Sequence, residues 1–167
     1  LVVQKGIQPI IDLVHYGTPL WLEGSFLHPD YPAFVADYAY AVAERYGDLV
    51  RYYTPLNEPG VNADYAGRRG EWPPYLKGDA GYVATLLPIV RGMALTTEAV
   101  RAADPDAVFV QVEAVGWHWT RNPRLQSAVD ERIVRSFLPF DLFTGRVDAD
   151  HPCYPMLLKS GATEGQL

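Results

Sequence analysis

The 167-residue sequence contains one cysteine, Cys153. A single thiol excludes a disulfide framework and any metal site built on several cysteines, and it reads best as a small buried hydrophobe. Grouped cations are scarce: the longest basic cluster is Arg68-Arg69, and 14 Lys+Arg stand against 20 Asp+Glu for a net charge of -6. Binding phosphate backbones needs clustered Lys and Arg, so no nucleic-acid partner is expected. No run of about 18 apolar residues occurs, so no membrane-spanning segment and no membrane partner are expected. No G-x-G-x-x-G or G-x-x-x-x-G-K-[ST] loop follows an apolar run, which argues against nucleotide binding. Internal repeats and low-complexity segments are also absent. Nothing before Gly6 resembles a charged segment followed by an apolar one, so the expected compartment is cytoplasmic. Because the first residue is Leu1, the chain is expected to begin inside a longer one.

What the sequence does have is 49% apolar and 13% aromatic residues, which excludes intrinsic disorder and provides enough material for one core. Ile7 to Val14 is a short β-branched run between Gly6 and Gly17-Thr18-Pro19, and it reads as a buried strand. Asp30 offers a cap and Pro32 suits a first turn. Phe34, Val35, Tyr38, Ala39, Val42, Ala43 and Tyr46 then recur at helical spacing until Gly47. Val50 to Thr54 reads as a second strand, limited by Pro55 and Pro59. Residues 60 to 81, rich in Gly with Tyr65, Trp72 and Tyr75 interleaved, read as a long functional loop. A helix is expected from Tyr82 to Ala102 with Pro88 near its first turns, a strand from Ala107 to Val115, a helix from Leu125 to Phe137, and a loop from Thr144 to Pro155. The tail Gly161 to Leu167 carries no signal.

Strand, helix, strand, helix, strand, helix implies a parallel sheet, either doubly wound or part of a (β/α)₈ TIM barrel. In a barrel the chemistry sits at the carboxyl ends of the strands. Those ends carry His15-Tyr16, then Asn57-Glu58, then Glu113 followed by Trp117-His118-Trp119. In the third strand Val108, Val110, Val112 and Ala114 share one parity and are expected to face the helices. Glu113, on the opposite parity with Phe109 and Gln111, is expected to point into the barrel mouth.

Tyr52-Tyr53-Thr54-Pro55-Leu56-Asn57-Glu58-Pro59 resembles the fourth barrel strand of retaining glycoside hydrolases. His15-Tyr16-Gly17-Thr18-Pro19-Leu20-Trp21-Leu22 resembles the third-strand motif of glycoside hydrolase family 1, the β-glucosidase family. Val42-Ala43-Glu44-Arg45-Tyr46-Gly47-Asp48 between them is also similar to that family. His151-Pro152-Cys153-Tyr154-Pro155 carries a fainter likeness. The resemblance implies a fragment of a TIM barrel, about three βα units covering strands 3 to 5, with residues 1–167 part of a single catalytic domain without an internal boundary. It implies hydrolysis of terminal β-linked sugars with retention, a small-molecule glycoside as partner, and neither cofactor nor metal. Residue by residue, it implies Glu58 as general acid/base, Asn57 as partner of the sugar 2-hydroxyl and His15 as a hydrogen-bonding residue of the same subsite. Tyr16 and Trp117 complete the expected substrate-binding set.

The physical logic agrees with those roles. A glycosidic oxygen leaves poorly until protonated, and a carboxylic acid held in a mostly apolar pocket can protonate it near neutral pH. An amide beside that acid can grip the 2-hydroxyl harder as the oxocarbenium ion develops. Trp21, Trp72, Trp117 and Trp119 offer faces for pyranose rings. Each residue also has a plainer role: Glu58 a solvated loop carboxylate, His15 a core histidine, Asn57 a turn cap. Glu113 could line the sugar site, act as a second catalytic carboxylate or pair with an Arg, and Trp117 and Trp119 could simply pack on the rim. His118 and His151 lack metal-ligand spacing.

The sequence departs from the family pattern. Gly17-Thr18 stand where Asp-Leu is common, Pro55 where Thr is common, and the helix from Tyr82 lacks a central His, which indicates a divergent branch. The family's nucleophile motif, Ile/Val-Thr-Glu-Asn-Gly, does not occur. Retaining hydrolysis needs a second carboxylate about 5 to 5.5 Å from the acid. The nucleophile is therefore expected outside this chain, and the isolated chain is expected to be inactive and to self-associate through open sheet edges. Three alternatives stay open: another hydrolase with an Asn-Glu-Pro strand, a complete small enzyme using Glu58 with Glu113, or a half-barrel that binds sugar or a partner without hydrolysing it.

Overall fold

The computed structural model describes residues 2–167; Leu1 lies outside the described residues. Three short parallel strands, β1 (Ile10–Asp12), β2 (Tyr52–Thr54) and β3 (Val108–Phe109), form one sheet in the order β1-β2-β3. Ile10 pairs with Tyr52 and Asp12 with Thr54, and Tyr53 pairs with Phe109. Leu13 still donates to the Thr54 carbonyl, and pairing continues past Pro55 as single contacts: Asn57 donates to the Val14 carbonyl and bridges Val112. All the expected strands are present but shorter than expected, and β2 ends at Thr54, where Pro55 removes the next ladder donor.

Helix α1 (Tyr31–Tyr46) starts and stops where Pro32 and Gly47 predict. Asp30 stands at its N-cap, but its side chain makes no capping bond, contrary to expectation. Tyr31, Val35, Ala39 and Ala43 recur every four residues and form its buried stripe. That stripe packs against α3 (Gly78–Ala103), which crosses from β2 to β3. Helix α3 starts earlier than expected, so Pro88 lies inside it rather than in its first turns. By length and composition alone α3 would pass as a membrane span. Ten of its residues are buried in the protein, so its apolar surface is used by the core.

Residues 60 to 81 are not the long loop their composition suggests. They begin with α2 (Pro59–Ala63), continue through a turn of π-helix, Asp64–Arg69, and reach the first turn of α3 through an irregular stretch, 70–77, the one part that is loop as expected. Two of their glycines serve packing: Gly67 and Gly81 bring two backbones so close that a Cβ on either would collide with the other's carbonyl. Helix α4 (Gln126–Phe143) extends past the expected end at Phe137 and through Pro139, because Leu138 and Leu142 are needed in the core. The region expected to be a loop up to Pro155 ends in α5 (Tyr154–Lys159), with Cys153 and Leu157 buried beside it.

The parity expected for the third strand is reversed. Phe109 packs with Ala39 and Val100 under the Arg101 guanidinium, on the helix side, whereas Val108 is exposed on the open face of the sheet. Branched aliphatics fill the interior of a barrel, so the aliphatic parity belongs on that face. Glu113 accordingly turns toward α2 instead of into a barrel mouth.

Candidate functional site

The site is built at the carboxyl ends of β1 and β2. Pro59 opens α2, and Glu58 occupies its N-cap with φ 48° and ψ 67°, a left-handed conformation that side-chain-bearing residues adopt at a cost. Three contacts hold it there. The Glu58 amide donates to the Val112 carbonyl at 3.1 Å, and the fully buried Asn62 side chain donates to the carbonyls of Asn57 and Glu58 at 2.8 and 3.0 Å. Asn62 sits one helical turn after Glu58, which is why it can reach back to both carbonyls.

The Glu58 carboxylate meets Tyr16, whose phenol donates to Oε2. Among the described residues Oε1 has no protein donor, so this is the oxygen available for a transferable proton. Tyr16 also has positive φ, 50°, and its ring stands edge-on to His15 at 4.6 Å and tilted against Trp72 at 5.3 Å. Trp72 stacks in turn on Tyr65 at 4.6 Å, whose other partner is the Arg69 guanidinium at 4.5 Å. The result is an aromatic wall beside the carboxylate. His15 Nδ1 lies 2.8 Å from the Asp12 carboxylate, an arrangement that orients the imidazole and leaves Nε2 outward.

The structure thus brings together Glu58, Asn57, His15 and Tyr16. Asn57 is 7% exposed, its backbone locked between β1 and β3. Trp117 is not brought in: it is 85% exposed and stands away from the aromatic wall, as Trp119 does over Arg121. Sequence reading missed Asn62 and Asp12 and treated Tyr65 only as a loop aromatic, whereas Trp72 was among the expected sugar faces. The i+4 spacing from Glu58 to Asn62 and the i−3 spacing from His15 to Asp12 were the available signals.

Three cavities adjoin these residues. One of about 610 Å³ runs between the Tyr16–Phe26 segment and Trp72–Tyr75, and one of about 470 Å³ lies between His15, Tyr16, Trp21 and the first turns of α1. Tyr16 lines both. A third, of about 600 Å³, opens on the other side of α2, between Glu113, Tyr65, Tyr82 and the α4 arginines. Burial pushes the Glu113 carboxyl above the ordinary carboxylate range. The Gly60 and Ala114 amides oppose that shift, and the nearby Glu58 charge adds to it. Glu113 is not ion-paired with any arginine among the described residues, and both its oxygens accept from backbone amides instead.

The family model of glycosyl hydrolase family 1 matches residues 1–137. A 1,4-β-D-glucan glucohydrolase of Thermotoga neapolitana is 26% identical over 164 residues, which is 97% of this chain and 38% of that protein. A bifunctional β-D-glucosidase/β-D-fucosidase of Bifidobacterium breve is 36% identical over 108 residues, covering 60% and 23%. Among solved structures, the family 1 β-glucosidase of Thermotoga maritima superposes with a TM-score of 0.85 at 20% identity, over 99% of this chain and 38% of that one. The same enzyme in complex with glucoimidazole gives 0.79. This chain therefore spans well under half the length of the proteins it matches, and its three-stranded parallel sheet is the fold of part of a TIM barrel. The chain belongs to glycosyl hydrolase family 1.

Proposed function

We propose that these residues form the acid/base half of a retaining β-glycosidase site acting on terminal β-linked sugars, in the segment corresponding to barrel strands 3 to 5. Glu58 protonates the leaving oxygen and then deprotonates the attacking water. Asn57 and His15 hold sugar hydroxyls, Tyr16 fixes the carboxylate, and Tyr16, Trp72 and Tyr65 form the wall along which the sugar or its aglycone lies. The nucleophile comes from outside the 167 residues.

The observation that carries this reading is the Glu58 carboxylate: it ends a barrel strand, one oxygen is fixed by Tyr16, and the other is free to deliver a proton. Glu113 is a poor nucleophile here because both oxygens are occupied by amides. The test is an assay of the purified chain and its Glu58→Gln variant on 4-nitrophenyl β-glucoside. Neither is expected to turn over. Glu58-dependent turnover by the 167 residues alone would show that the second carboxylate is inside the chain.

A further inference from the structure

Glu113 is a half-buried carboxylate that the proposed chemistry leaves unused. Its Oε2 accepts from the Gly60 amide at 2.7 Å and its Oε1 from the Ala114 amide at 2.9 Å. The cations around it are committed elsewhere: Arg68 and Arg135 to Asp79, Arg69 to Asp64, and Arg132 to His118. A carboxylate whose two oxygens both end on backbone amides acts on the backbone.

The backbone it acts on is the Glu58 turn. Gly60 is the second residue of α2, so its N–H has no acceptor inside the helix, and Glu113 supplies one from the far end of the neighbouring strand. The fit is close: a Cβ at Gly60 would stand 2.9 Å from Glu113 Oε2 and 3.3 Å from Pro139 Cγ. Val112, the preceding residue, accepts from the Glu58 amide. Residues 112 and 113 therefore grip 58 and 60 together, with the left-handed Glu58 and Pro59 between the two grips.

Resting on the assignment of Glu58 as acid/base, we propose that Glu113 is a positioning residue for it: the carboxylate, bound to the Gly60 amide, holds the 58–60 turn so that the Glu58 side chain stays on Tyr16. Other titratable and charged groups face Glu113 from the packed elements, namely Glu58 after β2, Asp64, Arg68 and Arg69 on the π turn, Tyr82 on α3, His118 after β3 and Arg132 and Arg135 on α4. A titration must separate Glu113 from these, which site-specific spectroscopy does.

The experiment is NMR of the 167-residue chain. In the wild type the Gly60 amide proton is expected downfield, protected from exchange, and titrating with the Glu113 carboxyl carbon. Glu113→Gln retains an acceptor, so it keeps the protection and abolishes the titration. Glu113→Ala raises Gly60 exchange by about tenfold or more and moves the Glu58 and Tyr16 signals, leaving the amides of α1 in place. A Gly60 amide indifferent to Glu113→Ala overturns the clamp. Loss of Gly60 protection with Glu58 and Tyr16 unmoved overturns the positioning. If Glu113→Ala does not fold, Glu113→Gln decides: a Gly60 amide that titrates in that variant as it does in the wild type sinks the proposal. None of these readouts uses turnover, so a failure of the acid/base assignment would be seen separately in the kinetics.

Discussion

Tyr16 donates its phenolic hydrogen bond to Glu58 across 42 positions of sequence, and both residues hold left-handed backbone conformations, with φ of 50° and 48°. Two strained residues meeting at one hydrogen bond, at the ends of adjacent parallel strands, mark where the surrounding packing has been given over to placing a carboxylate.

Removing that bond alone should affect chemistry more than stability. Tyr16→Phe keeps the ring against His15 and Trp72, so the thermal midpoint is expected to move by no more than the value of one partly exposed hydrogen bond, about 1 kcal/mol. In a polypeptide that also carries the nucleophile, turnover of a poor-leaving-group glucoside is expected to fall by roughly tenfold or more. Calorimetry beside steady-state kinetics checks both.

The close approach of Gly67 and Gly81 makes the opposite case. Neither lies in the site, yet Gly81→Ala drives a methyl into the Gly67 carbonyl. Overpacking against backbone cannot be relieved by a rotamer change, so a loss of about 2 to 3 kcal/mol is expected, read by urea unfolding. Gly165→Ala, with open space around it, is the control and should change little.

The Glu113 carboxyl has a pH consequence. Burial raises its proton affinity in the folded state above its unfolded value. The folded protein therefore binds the proton more tightly, and this contribution to stability is full below the ordinary carboxylate range and lost as pH rises through the raised value. Asp79, held low by its hydrogen bond to Arg135, works in the other direction as pH falls. The difference in stability between wild type and Glu113→Gln isolates the first effect: it should fall with rising pH across that window. A flat difference would contradict it.

Some of this was legible in the sequence and some was not, for physical reasons. Pro32, Gly47 and a four-residue apolar repeat delimit α1 because start, stop and stripe are all local. Asn57-Glu58-Pro59 announces a strand end because proline cannot continue the ladder. Residues 60 to 81 misled because glycine reads as loop, whereas Gly67 and Gly81 are there to let backbones touch. The direction of Glu113 misled because parity alone does not say which face of a sheet meets helices, and in a barrel the aliphatic face is the inner one. Asn62 was invisible for a related reason: an asparagine bonding two carbonyls looks in sequence like any turn residue.

The open sheet face has a consequence in solution. Ile10 and Val108 are exposed on it, and Leu20 and Trp21, in the segment after β1, are exposed as well. Unpaired outer strands and uncovered apolar side chains favour association. Sedimentation of the isolated chain is expected to show concentration-dependent oligomers; a monomer across the micromolar range would contradict the partial-barrel account.

The acid/base role of Glu58 is tested most directly by leaving-group dependence, measured on Glu58→Ala in a polypeptide that joins these 167 residues to a nucleophile strand. A 2,4-dinitrophenyl glucoside needs no proton to leave, whereas a phenyl glucoside does. The account predicts that kcat/KM for the phenyl substrate falls by about 10²- to 10⁴-fold and that the dinitrophenyl substrate loses far less. An equal loss on both substrates, or no loss on either, would contradict it.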